Sequence, residues 1–106
     1  MTDPLDRVSK ICLALPKATV EQHGRQATYR VRRKPFAYFL DDHQGDGMVA
    51  VSFRAGERAR ATPERFYPPA YMGPRGWLAL RLDTGPVDWD EVEALVVESW
   101  LLAGGA

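Results

Sequence analysis

Apolar residues recur at helical spacing near the N-terminus, and this pattern predicts a first helix. The residues that share its apolar face are Leu5, Val8, Ile11, Cys12 and Leu15. Asp3 suits the N-cap and Pro4 the first helical position, because proline has a fixed φ and lacks the N–H that would stay unpaired there. Pro16 ends the helix, since proline cannot continue the hydrogen-bond ladder.

A second helical pattern fills the C-terminal region of the chain. Its inward-facing residues are predicted to be Trp89, Val92, Leu95, Val96 and Trp100. Asp88 and Glu91 have the spacing of a capping box, and Gly104-Gly105 ends the helix. Between the two terminal patterns, residues 55–65 favour a short exposed helix and residues 66–70 an ordered loop with two prolines.

The middle of the chain changes to the alternating pattern of strands. Alternation predicts strands within 27–31, 36–40 and 49–53, and a last strand from 77 to 82. Consecutive strands with short connections favour an antiparallel meander. In this interpretation Phe36, Tyr38 and Leu40 face the core.

The simplest arrangement of these elements is an α+β fold, a two-layer α/β sandwich in which the N- and C-terminal helices pack on one face of an antiparallel sheet. The chain of 106 residues is expected to form a single domain, 1–106. The second sheet face would then be open to solvent. The residues predicted on it are Thr28, Arg30, Ala37, Phe39, Ala50, Ser52, Trp77 and Arg81.

Charge is unevenly distributed, although the formal net charge is zero. Residues 17–34 hold six basic residues and one acid, a net of +5, and residues 54–81 hold six arginines and two acids, a net of +4. The stretch from Asp83 to Glu98 holds six acids and no base. Such segregation can steer a charged partner towards one side of a protein.

Several classes of function are disfavoured by what the sequence lacks. No apolar run approaches the roughly 18 residues that span a bilayer, and Asp3 and Asp6 argue against a secretory signal, so we expect a cytoplasmic protein with no membrane partner. Cys12 is the single cysteine and should be a core thiol. No P-loop, Rossmann, HExxH or CxxC motif occurs, and His23 and His43 lie far apart in sequence. We therefore expect no enzymatic activity, no cofactor and no resident metal.

The segment Tyr71-Met72-Gly73-Pro74-Arg75-Gly76-Trp77 leads into the last strand and carries a family resemblance. Together with the Ala14-Leu15-Pro16 helix end and the strand-turn-strand 28–40, it resembles the MmcQ/YjbR family, whose small fold is similar to the frataxin-like CyaY fold. The resemblance implies the order helix, strands, helix over nearly the whole chain. Gly73 and Gly76 stand where many relatives carry Asn and His.

The hairpin turn departs from the family pattern as well. Relatives often have glycines there, whereas this chain has Arg32-Arg33. Arginine disfavours the positive φ that a type I′ turn requires, so we expect another turn type.

The resemblance also implies a candidate function, because the family is often described as a DNA-binding group with a double-wing arrangement. One wing would be the tip Arg32-Arg33-Lys34 and the other the loop around Arg75, both suited to phosphate contacts. With the open sheet face, the candidate DNA-contacting residues are Arg30, Arg32, Arg33, Lys34, Arg75, Trp77 and Arg81. A pI near 6.7 and the acidic last helix count against a dedicated nucleic-acid binder.

The alternative is a protein-interaction or metal-delivery adaptor, by similarity to frataxin-like folds that hold iron or a partner on an acidic ridge. The acids available for a ridge are Asp88, Asp90, Glu91, Glu93 and Glu98. They lie on the last helix, whereas the ridge of those folds is usually on the first. The partner is thus expected to be DNA or another protein, and the chain a monomer or a weak dimer.

Overall fold

The strands pair in the order in which they follow one another along the chain and form a meander, with a long, partly helical connection before the last strand. The computed structural model describes residues 3–70 and 75–105. It contains the strands β1 (Ala18–His23), β2 (Gln26–Val31), β3 (Lys34–Asp41), β4 (Val49–Arg54) and β5 (Trp77–Arg81). All neighbours pair antiparallel in the order β1-β2-β3-β4-β5. The predicted antiparallel sheet is confirmed.

The described residues contain three α-helices, α1 (Pro4–Leu13), α2 (Glu57–Ala61) and α3 (Trp89–Leu102). The start of α1 is as predicted, since the Asp3 carboxylate accepts the Leu5 N–H at 3.0 Å and Pro4 is the first helical residue. In the described part of the chain, no helix has the length and apolar character needed to cross a bilayer.

The start of α3 confirms only half of the predicted capping box. Asp88 accepts the backbone N–H groups of Asp90 and Glu91 at 3.1 and 3.2 Å. The Glu91 carboxylate does not return to the cap, because it forms an ion pair with Arg65, in the short 3-10 turn that follows α2.

Helices α1 and α3 pack on the same face of the sheet, as the sequence predicts, and run in the same direction along the strands. Both begin at the end of the sheet where β5 finishes, and both finish near Pro16, whose carbonyl accepts the Trp100 Nε1–H at 3.3 Å. The core between helices and sheet contains Leu5, Val8, Cys12, Tyr29, Val31, Phe36, Phe39, Val51, Val92 and Val96. Burial raises the pKa of the Cys12 thiol, as expected for a core thiol.

The predicted orientation of β3 is wrong. Ala37 pairs with Tyr29 and Phe39 with Ala27, so Ala37 and Phe39 lie on the helix-covered face and are fully buried. The register shifts between Tyr29 and Arg30, and Phe36 is the extra residue of the resulting bulge. Five consecutive apolar residues, 36–40, gave the sequence no alternation from which to choose a face.

The second sheet face is also less open than predicted. Its residues Leu40, Ala50, Ser52, Trp77 and Ala79 are all buried. Part of the cover comes from the proline-containing loop, which pairs Tyr67 with Ala79 at the β5 edge and then reaches His43, where His43 Nε2 lies 3.1 Å from the Ala70 carbonyl oxygen.

Candidate nucleic-acid interface

The strand register brings basic residues from distant parts of the chain to one end of the sheet. Ala18 pairs with Val31, which also pairs with Lys34, so the start of β1, the end of β2 and the start of β3 coincide. Arg54 pairs with Trp77, and its Nε donates to the Pro35 carbonyl at 3.0 Å, which places the end of β4 and the start of β5 there too. We call this the basic end; its cations are Lys17, Arg32, Arg33, Lys34, Arg54 and Arg75.

The tip of the β2–β3 hairpin contradicts the expected turn type. Arg32 and Arg33 have φ values of 51° and 70°, and they are the only residues between the paired Val31 and Lys34. Two positive φ values in a two-residue loop make a type I′ turn, whose twist matches that of the flanking strands. The sheet therefore imposes a left-handed conformation on two arginines, which costs roughly 1–2 kcal/mol per residue.

Five of the cations at the basic end are exposed, and a sixth is held in place. The exposed ones are Lys17, Arg32, Arg33, Lys34 and Arg75, and none forms an ion pair with an acid in the described part of the chain. Arg54 is half-buried, with its guanidinium carbon 5.1 Å from the centre of the Trp77 ring. Lys17 and Arg54 were not among the residues predicted from the sequence.

Trp77, predicted as an exposed indole, is only 6% exposed. Its ring packs edge-on against Tyr38 with centroids 5.0 Å apart, and Arg54 covers it from another side. The expectation that it forms part of an exposed contact surface is therefore wrong. The preceding Tyr71–Pro74 segment of the predicted wing lies outside the described residues.

Arg30 and Arg81 lie on the predicted face but are already paired. Arg30 donates to Glu21 at 2.6 Å, and this contact lowers the pKa of the Glu21 carboxyl. Arg81 donates to Asp83 at 2.9 and 3.1 Å and lowers the pKa of that carboxyl. Arg81 ends β5, so it stands at the opposite end of the sheet from Arg75. Of the seven predicted contact residues, the structure brings Arg32, Arg33, Lys34 and Arg75 together as exposed cations.

Acids concentrate at the opposite end of the sheet, which we call the acidic end. Asp41 ends β3, and Asp3 at the start of α1 is bound there by Arg25 at 2.8 Å. The other acids of this end are Asp42, Asp46, Asp83 and Asp88. The eight residues of β3 separate the two ends by about 24 Å, which exceeds the Debye length of about 8 Å at physiological salt. These carboxylates therefore weaken the field at the basic end very little.

Two of the five acids named for an acidic ridge already have other partners. Asp88 caps the helix and Glu91 pairs with Arg65. Glu98 lies against Gly56, so it borders the basic end together with Glu57. Within residues 3–70 and 75–105, no group of three His, Cys, Asp or Glu side chains is placed to hold a metal ion.

A small cavity of about 320 Å³ on the second sheet face is a feature that the sequence did not indicate. It brings His23, the last residue of β1, together with His43 from the connection between β3 and β4. The polar side chains that line it with them are Gln26, Thr28 and Tyr38. The cavity lies towards the acidic end, away from the exposed cations.

Comparison with known proteins is consistent with the observed architecture. The family model described as YjbR matches residues 13–102. The crystal structure of protein DR2400 from Deinococcus radiodurans, with a DUF419 domain, is similar with a TM-score of 0.68 and 20% identity, covering 92% of this chain and 76% of that chain. At this identity the likeness shows the fold alone. No curated protein sequence matches the chain.

Proposed function

The chain belongs to the YjbR family, and we propose that its basic end binds the phosphate backbone of duplex DNA. The observation that carries the proposal is the convergence of five exposed cations from three separate segments, Lys17, the tip 32–34 and Arg75, none of which is paired with an acid among residues 3–70 and 75–105. Charged side chains that meet in this way raise the local concentration of a polyanion and neutralise its phosphates.

The dimensions of the basic end suit a duplex. Five strands at about 4.8 Å spacing give a row of roughly 19 Å from Lys17 to Arg75. The major groove is about 12 Å wide. Cations at the two ends of this row can therefore contact phosphates on both sides of the groove. Such contacts fix position but carry no sequence information, and the expected binding is non-specific.

The type I′ turn gives independent support. Asn and Gly adopt positive φ at lower cost than arginine, yet Arg32 and Arg33 occupy both positions. Strained backbone of this kind concentrates at functional sites, where the side chain is needed despite its conformational cost. A solvent-exposed guanidinium pair on a rigid hairpin is suited to phosphate contacts.

The binding should be weak, because the formal net charge of the whole chain is zero. It should also be strongly salt-dependent, because it depends on contacts with phosphates that release counterions. If about five phosphates are neutralised, the plot of log K against log salt has a slope near −4.5, and affinity falls several-hundred-fold between about 50 and 200 mM salt. Fluorescence anisotropy with a labelled duplex, titrated at several salt concentrations, measures the slope directly. If the anisotropy of the duplex does not change at low salt with micromolar protein, the DNA hypothesis is wrong.

Arg75 and Arg81 provide a matched pair of variants, because they flank the two ends of the same strand. Arg75→Ala should reduce the steepness of the salt slope by about one. Arg81→Ala removes the same charge at the acidic end and should leave the slope unchanged. Equal effects of the two variants would show that net charge, and not the basic end, governs binding.

A further inference from the structure

Helices α1 and α3 lie side by side and leave an open groove on the outer surface of the helix layer. Its floor is apolar and includes Ile11, Ala14 and Val97. On α3 the apolar surface extends one turn beyond the groove, because Leu101 follows Val97 by four residues and is 53% exposed. The opposite side of α3 is already buried against the sheet, so this helix is apolar on two sides. A helix of that kind usually has a partner on both.

The two walls of the groove carry opposite charge. Arg7 and Lys10 come from α1, which also contributes Asp6, whereas Asp90 and Glu93 come from α3, so the α1 wall is net basic and the α3 wall is acidic. Within the described part of the chain, no ion pair crosses the groove. Arg7 instead stacks over the Trp89 ring at 4.7 Å, which fixes the start of α1 level with the start of α3.

We propose that two copies of the chain dock through this groove about a two-fold axis that runs parallel to the helices. Such an axis lays α1 of one copy over α3 of the other, with both helices still pointing the same way. Lys10 of each copy then faces Glu93 of its partner, and the apolar floors cover each other. A two-fold interface must be self-complementary, and two walls of opposite charge at the same level satisfy this condition.

The direction of the axis follows from the charges. An axis across the helices would place α1 against α1 and α3 against α3, so that bases would face bases and acids would face acids. Like charges brought together in an interface cost several kcal/mol. Only the parallel axis pairs every basic wall with an acidic one.

Sedimentation velocity on the full chain tests the proposal, because it needs no ligand. At low salt the wild-type protein should associate to a dimer as its concentration rises. Lys10→Glu and Glu93→Lys should each weaken the dimer at least about tenfold, because each places like charges together. The double variant Lys10→Glu/Glu93→Lys reverses both walls and should restore association.

Arg60→Glu is the matched control, since Arg60 is exposed on α2, which packs against α3 through Ala59 and Leu95, and Arg60 does not line the groove. It changes the net charge as Lys10→Glu does and should leave the dimer intact. A wild-type chain that stays monomeric, or single variants that associate as well as the wild type, would overturn the proposal. Circular dichroism on each variant identifies any that fail to fold, and the restored double variant separates a folding defect from a broken interface.

Discussion

At the residue scale, the two arginines of the β2–β3 turn add positive charge but lower the conformational stability of the turn. Replacing Arg32 by Asn and Arg33 by Gly supplies the residues that a type I′ turn prefers. The free energy of unfolding should rise by about 1–2 kcal/mol, which is less than the summed strain of two residues because glycine loses more conformational entropy on folding. For a chain of this size the melting temperature would rise by roughly 4–8 °C per kcal/mol. DNA affinity should fall in the same variant, because two phosphate contacts are lost. Thermal melting and anisotropy together measure both effects.

Lys34→Gln is the control for this turn variant. Lys34 has an ordinary strand conformation, so its replacement removes one charge without relieving strain. Its melting temperature should stay the same while the affinity falls. A turn variant that melts no higher than the wild type would mean that the positive φ values carry no cost here.

Trp77 is expected to act through the fold. It is buried between Tyr38 and Arg54, so Trp77→Ala should cost about 3–5 kcal/mol of unfolding free energy. Trp77→Phe keeps most of the packing and should cost much less. Urea unfolding followed by circular dichroism checks both. If Trp77→Ala lost DNA binding at unchanged stability, the indole would be a contact residue, as the sequence first indicated.

At the element scale, Ser99 joins α3 to the two strands that shape the basic end. Its buried hydroxyl donates to the Phe36 carbonyl at 2.5 Å and accepts the Arg54 N–H at 2.8 Å. Ser99→Ala leaves both backbone groups unpaired and should cost about 2–3 kcal/mol. Ser9→Ala loses one half-buried bond to the Tyr29 hydroxyl and should cost about 1 kcal/mol. Equal losses in the two variants would show that the Ser99 bridge is no more important than an ordinary hydrogen bond.

The elements with strong local signals could be predicted from the sequence. Both terminal helices, the Asp3 and Asp88 caps and four of the five strands are where the periodicity indicated. Strand β1 was missed because it is an edge strand with nearly every residue exposed, so it has no apolar alternation. The face of β3 could not be chosen, since a bulge changes which side chains point inward and leaves no trace in an apolar run.

The candidate site was predictable only in part, because it depends on register. The tip 32–34 is visible in the sequence as three consecutive cations. Lys17 and Arg54 join it only through the pairing of β1 with β2 and β4 with β5. Arg81 was expected with Arg75, but strand β5 carries it to the other end of the sheet. Charge counts along the chain cannot supply this information.

At the scale of the whole molecule, the proposed dimer and the proposed DNA contact are geometrically related. An axis parallel to the helices is also roughly parallel to the strands, so the basic ends of both copies face the same direction. Two helix layers, each about 10–12 Å thick, lie between the two sheets, and half the thickness of each sheet adds about 5 Å on either side, so the hairpin tips stand roughly 30 Å apart. This is close to the 34–36 Å that separates equivalent positions one turn apart on duplex DNA.

A dimer with two basic ends on one side should depend on duplex length. A DNA stem-loop with a stem of about six base pairs, roughly 20 Å long, can bind one basic end, whereas a stem of about eighteen base pairs can bind both. Simultaneous engagement should raise affinity at least about tenfold beyond the increase in the number of binding positions. Anisotropy with the two stems measures this gain in affinity, which we call the length step.

Lys10→Glu and Glu93→Lys change the net charge in opposite directions, yet both should abolish the length step while retaining binding to the short stem. A step that survives in both variants would show that length dependence has another origin, and loss of short-stem binding would count against the basic end itself.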